Sequence, residues 1–384
     1  METIHPNESS YRQRVIEVMQ LFLRLGITAF GGPAAHIAIM RDEVVKRRKW
    51  ISEQDFLDLF GAANLIPGPT STEMAIYLGF RRVGWIGLVL GGVCFILPAM
   101  LIVLALAWAY VRFGTTSIAS GILYGILPVV IAIIAQALWN MSKNAVKGWL
   151  TAIVGLIVLA LYFLNVNILM LLLAAGLVMM LIKNLSNMKQ IPAAGFFPPL
   201  IGLGIIAGPV PFGLMLLFLT FLKIGAILYG SGYVLLAFLH ADLVQNLGWL
   251  TERQLFDAIA IGQITPGPLF TTATFIGYLL GGLPGALLAT LGIFLPSFFF
   301  VGISSLFIKQ IRNSPWTGGF LDGVNVASLA LMLAVTLQLS TTAIVDPLTI
   351  GIALVSLVVL LRFKPNSTWL IAGGALIGFI HTLM

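Results

Sequence analysis

The sequence predicts an all-α, polytopic integral membrane protein made of two inverted-topology repeats with broken, re-entrant helices. Three observations lead there. Hydrophobic residues fill 59% of the 384 positions and charged residues 9%, whereas soluble domains carry roughly a quarter of their residues as charges. The apolar runs are continuous over the ~20 residues of a helical span and do not alternate as barrel strands do. The second half also repeats the first at a shift of 199 residues, with proline and glycine breaks at matching places.

The elements follow in order. Met1–Gln20 mixes Glu, Arg and polar residues without a basic start, an apolar core and a cleavage site, so no signal peptide is expected. Leu21–Phe30 runs into Gly31-Gly32-Pro33 and resumes to Met40; Phe56–Ile66 runs into Pro67-Gly68-Pro69 and resumes from Thr70 to Phe80. Proline removes a backbone donor and clashes with the turn before it, so a helix breaks at each motif. Uninterrupted spans are expected at Trp85–Tyr110, Ile118–Trp139, Trp149–Leu164 and Ile168–Ile182, then at Pro284–Ile308, Phe320–Leu339, Leu348–Leu361 and Thr368–Leu383. The shorter ones imply tilt or local thinning of the bilayer.

The repeat is read without gaps over about 50 residues. Phe22–Gly26 overlays Phe221–Gly225, Trp50–Glu53 overlays Trp249–Glu252, Asn64 falls on Gln263, and Pro67-Gly68-Pro69 on Pro266-Gly267-Pro268. After a one-residue slip, Gly79, Gly87 and Pro98 match Gly277, Gly285 and Pro296. The expected units are 12–183, a linker 184–210 holding a connecting span, and 211–384.

Charge gives orientation. Arg41–Lys49 is strongly basic, and its counterpart His240–Gly248 has no Lys or Arg; Lys143 and Lys147 have no basic counterpart in Ser340–Pro347; Arg362 and Lys364 answer the uncharged Asn165–Asn167. Basic loops face the cytoplasm, so equivalent loops lie on opposite sides and the repeats are inverted. Arg112 and Arg253 are exceptions. Inversion requires one odd crossing between Ile191 and Pro211. The net charge of +7 is thus a topology signal, and no nucleic-acid partner is expected; lipid is, and a homo-oligomer stays open. One cysteine, Cys94, and four scattered histidines offer no metal cluster, and no cofactor is expected. Cys94 and His36 read as packing residues.

Inverted repeats with discontinuous helices point to a secondary transporter with its site at the repeat interface. A helix starting after Pro69 or Pro268 presents free N–H groups and its positive dipole end, which suits an oxyanion. Thr70, Ser71 and Thr72 lie there in one half and Thr265, Thr271 and Thr272 in the other; they either contact the anion or cap the helix. Arg24 and Lys223 are cations at matching places inside apolar runs. Arg24 either snorkels or faces an oxyanion, and Lys223 is less easily explained by snorkelling. Glu73, opposite Thr272, either carries a coupling proton or caps the new helix. Asp322, opposite Tyr124, is a second coupling carboxylate candidate. A membrane-embedded hydrolase using Asp58 and Asp257 is the competing class, disfavoured because inversion separates the two.

The Phe30-Gly-Gly-Pro33 break, the basic loop ending in Trp50, the run Asn64-Leu-Ile-Pro-Gly-Pro-Thr-Ser-Thr-Glu73, and the weaker copy through Pro266-Gly-Pro268 together resemble the chromate ion transporter family in its long, two-domain form. The resemblance covers nearly the whole chain. It implies efflux of chromate across the bacterial cytoplasmic membrane, conferring chromate resistance, with sulfate as a related ion, and no enzyme activity. It marks Gly31, Gly32, Pro33, Pro67, Gly68 and Pro69 as first-half motif residues and Gly230, Pro266, Gly267 and Pro268 as second-half ones. Ser231-Gly232 replaces Gly-Pro in the second copy.

Overall fold

A computed structural model describes residues 10–164, 166–184, 211–229, 232–305, 315–363 and 365–383. The described residues are helical with short connections. Residues 185–210 of the linker 184–210, with the connecting span expected there, and Gly230 lie outside them.

Helix α1 (Tyr11–Thr28) starts on a Ser10–Gln13 capping box and buries Val18, Leu21, Phe22 and Leu25 along one face. It stops where Ala29 turns extended, and α2 (Gly32–Arg41) restarts behind Gly31, whose φ of 105° is a left-handed value. Pro33 sits in the first turn of α2, where its missing N–H costs nothing. A π-helical turn, Asp42–Arg47, leads on to α3 (Glu53–Ala63), capped by Ser52. After Pro67-Gly68-Pro69 comes α4 (Thr70–Val83), then Gly84 at φ 71° and the long α5 (Trp85–Phe113). Helices α6 (Ser117–Ala145), α7 (Trp149–Phe163) and α8 (Ile168–Asn184) complete the first half.

The second half uses the same devices. Helix α9 (Leu214–Ile227) ends at an extended Leu228; α10 (Leu235–Leu239) leads into a second π-helical turn, His240–Asn246. Helix α11 (Glu252–Ile264) is capped by Thr251. Helix α12 (Thr272–Ser304) bends at Gly281–Gly282, where Gly282 has φ 59°. That bend sits 198 residues after Gly84, so the two arms of α12 correspond to α4 and α5. Helices α13 (Pro315–Ala343), α14 (Pro347–Phe363) and α15 (Ser367–Leu383) follow.

Packing is reciprocal. Helix α1 lies on α5 as α9 lies on α12, and α5 packs against α12 at the centre. The outer hairpins exchange: α7 and α8 pack on α13 of the other half, while α14 and α15 pack on α6. Small residues permit these close crossings. A Cβ on Gly125 would lie 1.9 Å from the Gly374 carbonyl oxygen, and one on Gly323 would lie 2.1 Å from that of Ala175. Among the described residues four helices are long and apolar enough to cross a membrane, Trp85–Phe113, Ser117–Ala145, Leu269–Ser304 and Gly318–Ala343. Exposed Leu156, Trp149, Leu354 and Trp369 on the shorter helices form an apolar exterior suited to lipid.

Candidate functional site

The helix breaks meet at the centre of the molecule and are bonded across the halves. The Gly68 N–H donates to the Leu228 carbonyl at 2.7 Å, and the Gly267 N–H donates to the Ala29 carbonyl at 2.9 Å. Each donor is the middle residue of a Pro-Gly-Pro motif, and each acceptor is the extended residue that ends the helix before the opposite break. Positions 33 and 232, equivalent in the repeat, face each other: a Cβ on Gly232 would touch Pro33 Cγ at 3.7 Å. A contact between equivalent positions, flanked by one bond and its mirror, places a pseudo-two-fold axis there.

Gly68 and Gly267 have φ of 138° and 86°, values that favour glycine. Around Gly68 the space is polar: an added Cβ would lie 2.3 Å from Glu73 Oε1 and 2.6 Å from Ser297 Oγ. Glu73, Thr72 and Ser297 are fully buried. Among the described residues, no group hydrogen-bonds either Glu73 oxygen, Thr72 Oγ1 or Ser297 Oγ. In α4 the Thr72 and Glu73 N–H groups bond the Pro69 carbonyl, which leaves those of Thr70 and Ser71 without a backbone acceptor. Ser71 is buried and Thr70 half-buried.

The second copy is locally satisfied. Thr265, Thr271 and Thr272 hydroxyls donate to the carbonyls of Gly262, Pro268 and Leu269. These hydroxyl-to-carbonyl bonds are not N-caps, and no side-chain oxygen caps the helix starts after Pro268. Gln263 differs, since its buried Nε2 has no partner. Asn64, its counterpart, is exposed and bonds the Phe60 carbonyl at 2.9 Å. His36 is a packing residue as expected: it is buried, its Nε2 is 3.0 Å from the Ala29 carbonyl, and its ring meets Phe95 edge-on.

The two matched cations are engaged elsewhere. Arg24 pairs with Glu43 at 2.7 Å, and Lys223 pairs with Asp242 at 2.7 Å. These are one interaction made twice, since Glu43 and Asp242 also stand 199 residues apart. A carboxylate from the following π-helical turn pairs with Arg24, whose side chain is half-exposed, and another pairs with Lys223. Glu43 also holds Arg47 at 2.9 Å and Arg48 at 3.3 Å. A recurring acid nineteen residues after each cation was the available signal. The same symmetry pairs Arg41 with Glu53 at 2.6 Å and its counterpart His240 with Glu252 at 2.7 Å.

Asp322 is also committed. It binds Lys147 at 2.7 Å and Lys183 as well, joining α13 to the ends of α6 and α8. A carboxylate held by two lysines works as a clamp between these helices in this structure. Its counterpart Tyr124 donates to Asp346, which begins the turn into α14. Asp257 accepts from Tyr110 at 2.7 Å and lies 3.3 Å from Arg253; Asp58 accepts from Gln54 at 3.0 Å. Neither environment supports a hydrolytic carboxylate dyad.

The family model described as Chromate transporter matches residues 16–180 and again 215–379. The chain belongs to the chromate transporter family. Curated relatives agree. A "Chromate transport protein" of Cupriavidus metallidurans is 35% identical over 378 residues, covering 95% of this chain and 92% of its own. A "Probable chromate transport protein" of Synechococcus elongatus is 33% identical over 354 residues, covering 89% and 88%. An uncharacterized transporter of Bacillus subtilis is 33% identical over 138 residues, which is 35% of this chain but 70% of its own. No solved structure matches the chain. Within a chromate-transporter chain the doubled match carries the same 199-residue shift as the paired breaks.

Proposed function

We propose that this protein exports chromate across the bacterial cytoplasmic membrane as a secondary transporter, conferring chromate resistance, and is not an enzyme. The observation that carries the reading is the crossed bonding of the two Pro-Gly-Pro breaks, which sets free α4 N–H groups and buried hydroxyls at the interface of the two halves. The contacting groups are the N–H groups of Thr70 and Ser71, the Thr72 hydroxyl and the Gln263 amide. Helix N-termini hold oxyanions without a full positive charge, so Arg24 and Lys223 are not needed as ligands.

The pseudo-two-fold axis lies in the membrane plane. The basic turn Arg41–Lys49 and the Lys/Arg-free turn His240–Gly248 are equivalent, and the positive-inside rule puts them on opposite faces. Alternating access then consists of one half rocking against the other about the crossed breaks. The inside-negative potential drives a dianion outward.

Everted membrane vesicles test the reading. Chromate uptake into their lumen is expected, competed by excess sulfate, since both are tetrahedral dianions. Uptake equal to that of vesicles lacking the protein would sink it. Sulfate uptake without chromate uptake would favour a different oxyanion as cargo.

A further inference from the structure

The two breaks are equivalent in backbone but not in chemistry. At the second, Thr271 and Thr272 satisfy themselves on nearby carbonyls. At the first, a carboxyl group stands where Thr272 stands in the copy, with Ser297 of α12 where the copy has Ala99. Glu73 and Ser297 are fully buried, have no hydrogen-bond partner among the described residues, and crowd the same point beside Gly68. One comes from the first half and the other from the second.

The groups facing Glu73 can be named. The phenols of Tyr77, one turn along α4, and Tyr229, at the break after α9, lie within reach of its charge. Tyr77 is already bonded to Ser304 at 2.5 Å. No charged side chain from α1, α2, α3, α5 or α12 compensates it, and His36 of α2 is turned to the Ala29 carbonyl. An unpaired carboxylate at this depth is costly and marks function by default.

We propose that Glu73, with Ser297, is a proton site that must be filled for the oxyanion to bind at the start of α4, so that one proton travels with each anion. This rests on the transporter reading above and adds its coupling. The logic is electrostatic. A carboxylate one turn from the Thr70 and Ser71 N–H groups repels an anion placed on them, and like charges in a low-dielectric site cannot both persist. A proton on Glu73 removes the repulsion and gives the carboxyl an O–H that donates to Ser297 Oγ or to the anion. The proton is taken from water on the loading side and released to water on the other when the anion leaves. A dianion with one proton moves one net negative charge, so the inside-negative potential still drives export.

The experiment measures affinity and proton movement together on the full-length protein. Chromate and sulfate affinity is determined in everted vesicles between about pH 6 and 8, with a pH dye in the lumen. Sulfate keeps both charges in this range, which separates titration of the protein from titration of the ion. Wild-type protein should bind sulfate more weakly as pH rises, by up to about tenfold per pH unit for one linked proton, and its lumen should acidify with uptake. Glu73→Gln, neutral at every pH, should bind sulfate with a flat profile and transport it without lumenal acidification. Ser297→Ala should shift the pH midpoint while keeping the slope. A wild-type slope retained in Glu73→Gln overturns the proposal, as does wild-type uptake without proton movement. If Glu73→Gln does not reach the membrane, the wild-type dye signal decides alone. Failure of the transporter reading looks different: no saturable chromate or sulfate uptake by wild-type protein at any pH.

Discussion

The amide of Gly68 is bonded to the carbonyl of Leu228 across the two halves of the chain, 2.7 Å apart. The same bond runs in the opposite direction from Gly267 to Ala29. Each unwound segment therefore satisfies one free backbone group of the other, which is how non-helical backbone is tolerated at membrane depth. The halves cannot part at the centre without losing both bonds. The rocking proposed above keeps both bonds by pivoting about this point.

Gly68→Ala should abolish transport. It combines a left-handed φ of 138° with a Cβ 2.3 Å from Glu73 Oε1. Strain of about 1–3 kcal/mol is joined by displacement of the carboxyl group. Gly267→Ala meets the Ala99 Cβ at 2.6 Å at φ 86° and should also lower activity. Gly84→Ala is the control, since at φ 71° it has nothing within 4 Å and carries the strain alone. Vesicle uptake normalised to membrane-inserted protein orders the three; equal activity in Gly68→Ala and Gly84→Ala would contradict the crowding argument.

The matched ion pairs should respond unequally. Arg24→Ala leaves Glu43 with Arg47 and Arg48, so its stability cost should stay within roughly 1 kcal/mol. Lys223→Ala strands Asp242, whose side chain is 9% exposed, with only the Asn246 amide at 3.4 Å. Breaking a buried pair costs roughly 3–5 kcal/mol; because Lys223 is 28% exposed, a loss nearer the lower bound is expected. Lys223→Ala with Asp242→Asn should recover part of it. Thermal unfolding in detergent checks the ranking, and greater loss from Arg24→Ala would refute it.

Asp346 supplies a pH dependence outside the spans. The Tyr124 hydroxyl, followed by the Thr349 N–H, holds its carboxyl below the usual carboxylate range. A depressed folded-state value stabilises above the unfolded value, and the contribution is lost as pH falls through the depressed one. Tyr124→Phe should therefore reduce stability at neutral pH and flatten the loss on the acid side. Unfolding temperature measured from neutral to acid pH reads both effects, and parallel curves for the two proteins would remove the role.

Legibility in the sequence follows interaction range. The breaks at Gly31-Gly32-Pro33 and Pro67-Gly68-Pro69 were readable because proline and glycine act on their own backbone. The long spans were readable from composition, and the repeat from spacing. The partners of Arg24 and Lys223 are marked in the sequence only by a recurring acid, since Glu43 and Asp242 obey the same 199-residue shift. The lysine partners of Asp322 are not legible in the sequence because Lys147 and Lys183 reach it only through the exchange of outer hairpins. Ser297 went unnoticed for the same reason: its closeness to Glu73 is a product of the α5–α12 centre, and no pattern along the chain reports it.

Lys46 and Gln245 decide the orientation of the halves. They are equivalent positions, 199 residues apart, and both are exposed on the π-helical turns. If the axis lies in the membrane plane, these turns emerge on opposite faces. An axis along the membrane normal would put them on the same face, although every crossed bond at the centre would be identical. Cys94 is buried, and Cys94→Ser gives a background without thiols. In that background Lys46→Cys should react with an impermeant maleimide only in everted vesicles, and Gln245→Cys only in intact cells or spheroplasts. Modification of both from one side would reject the inverted arrangement while leaving the pseudo-two-fold contacts standing.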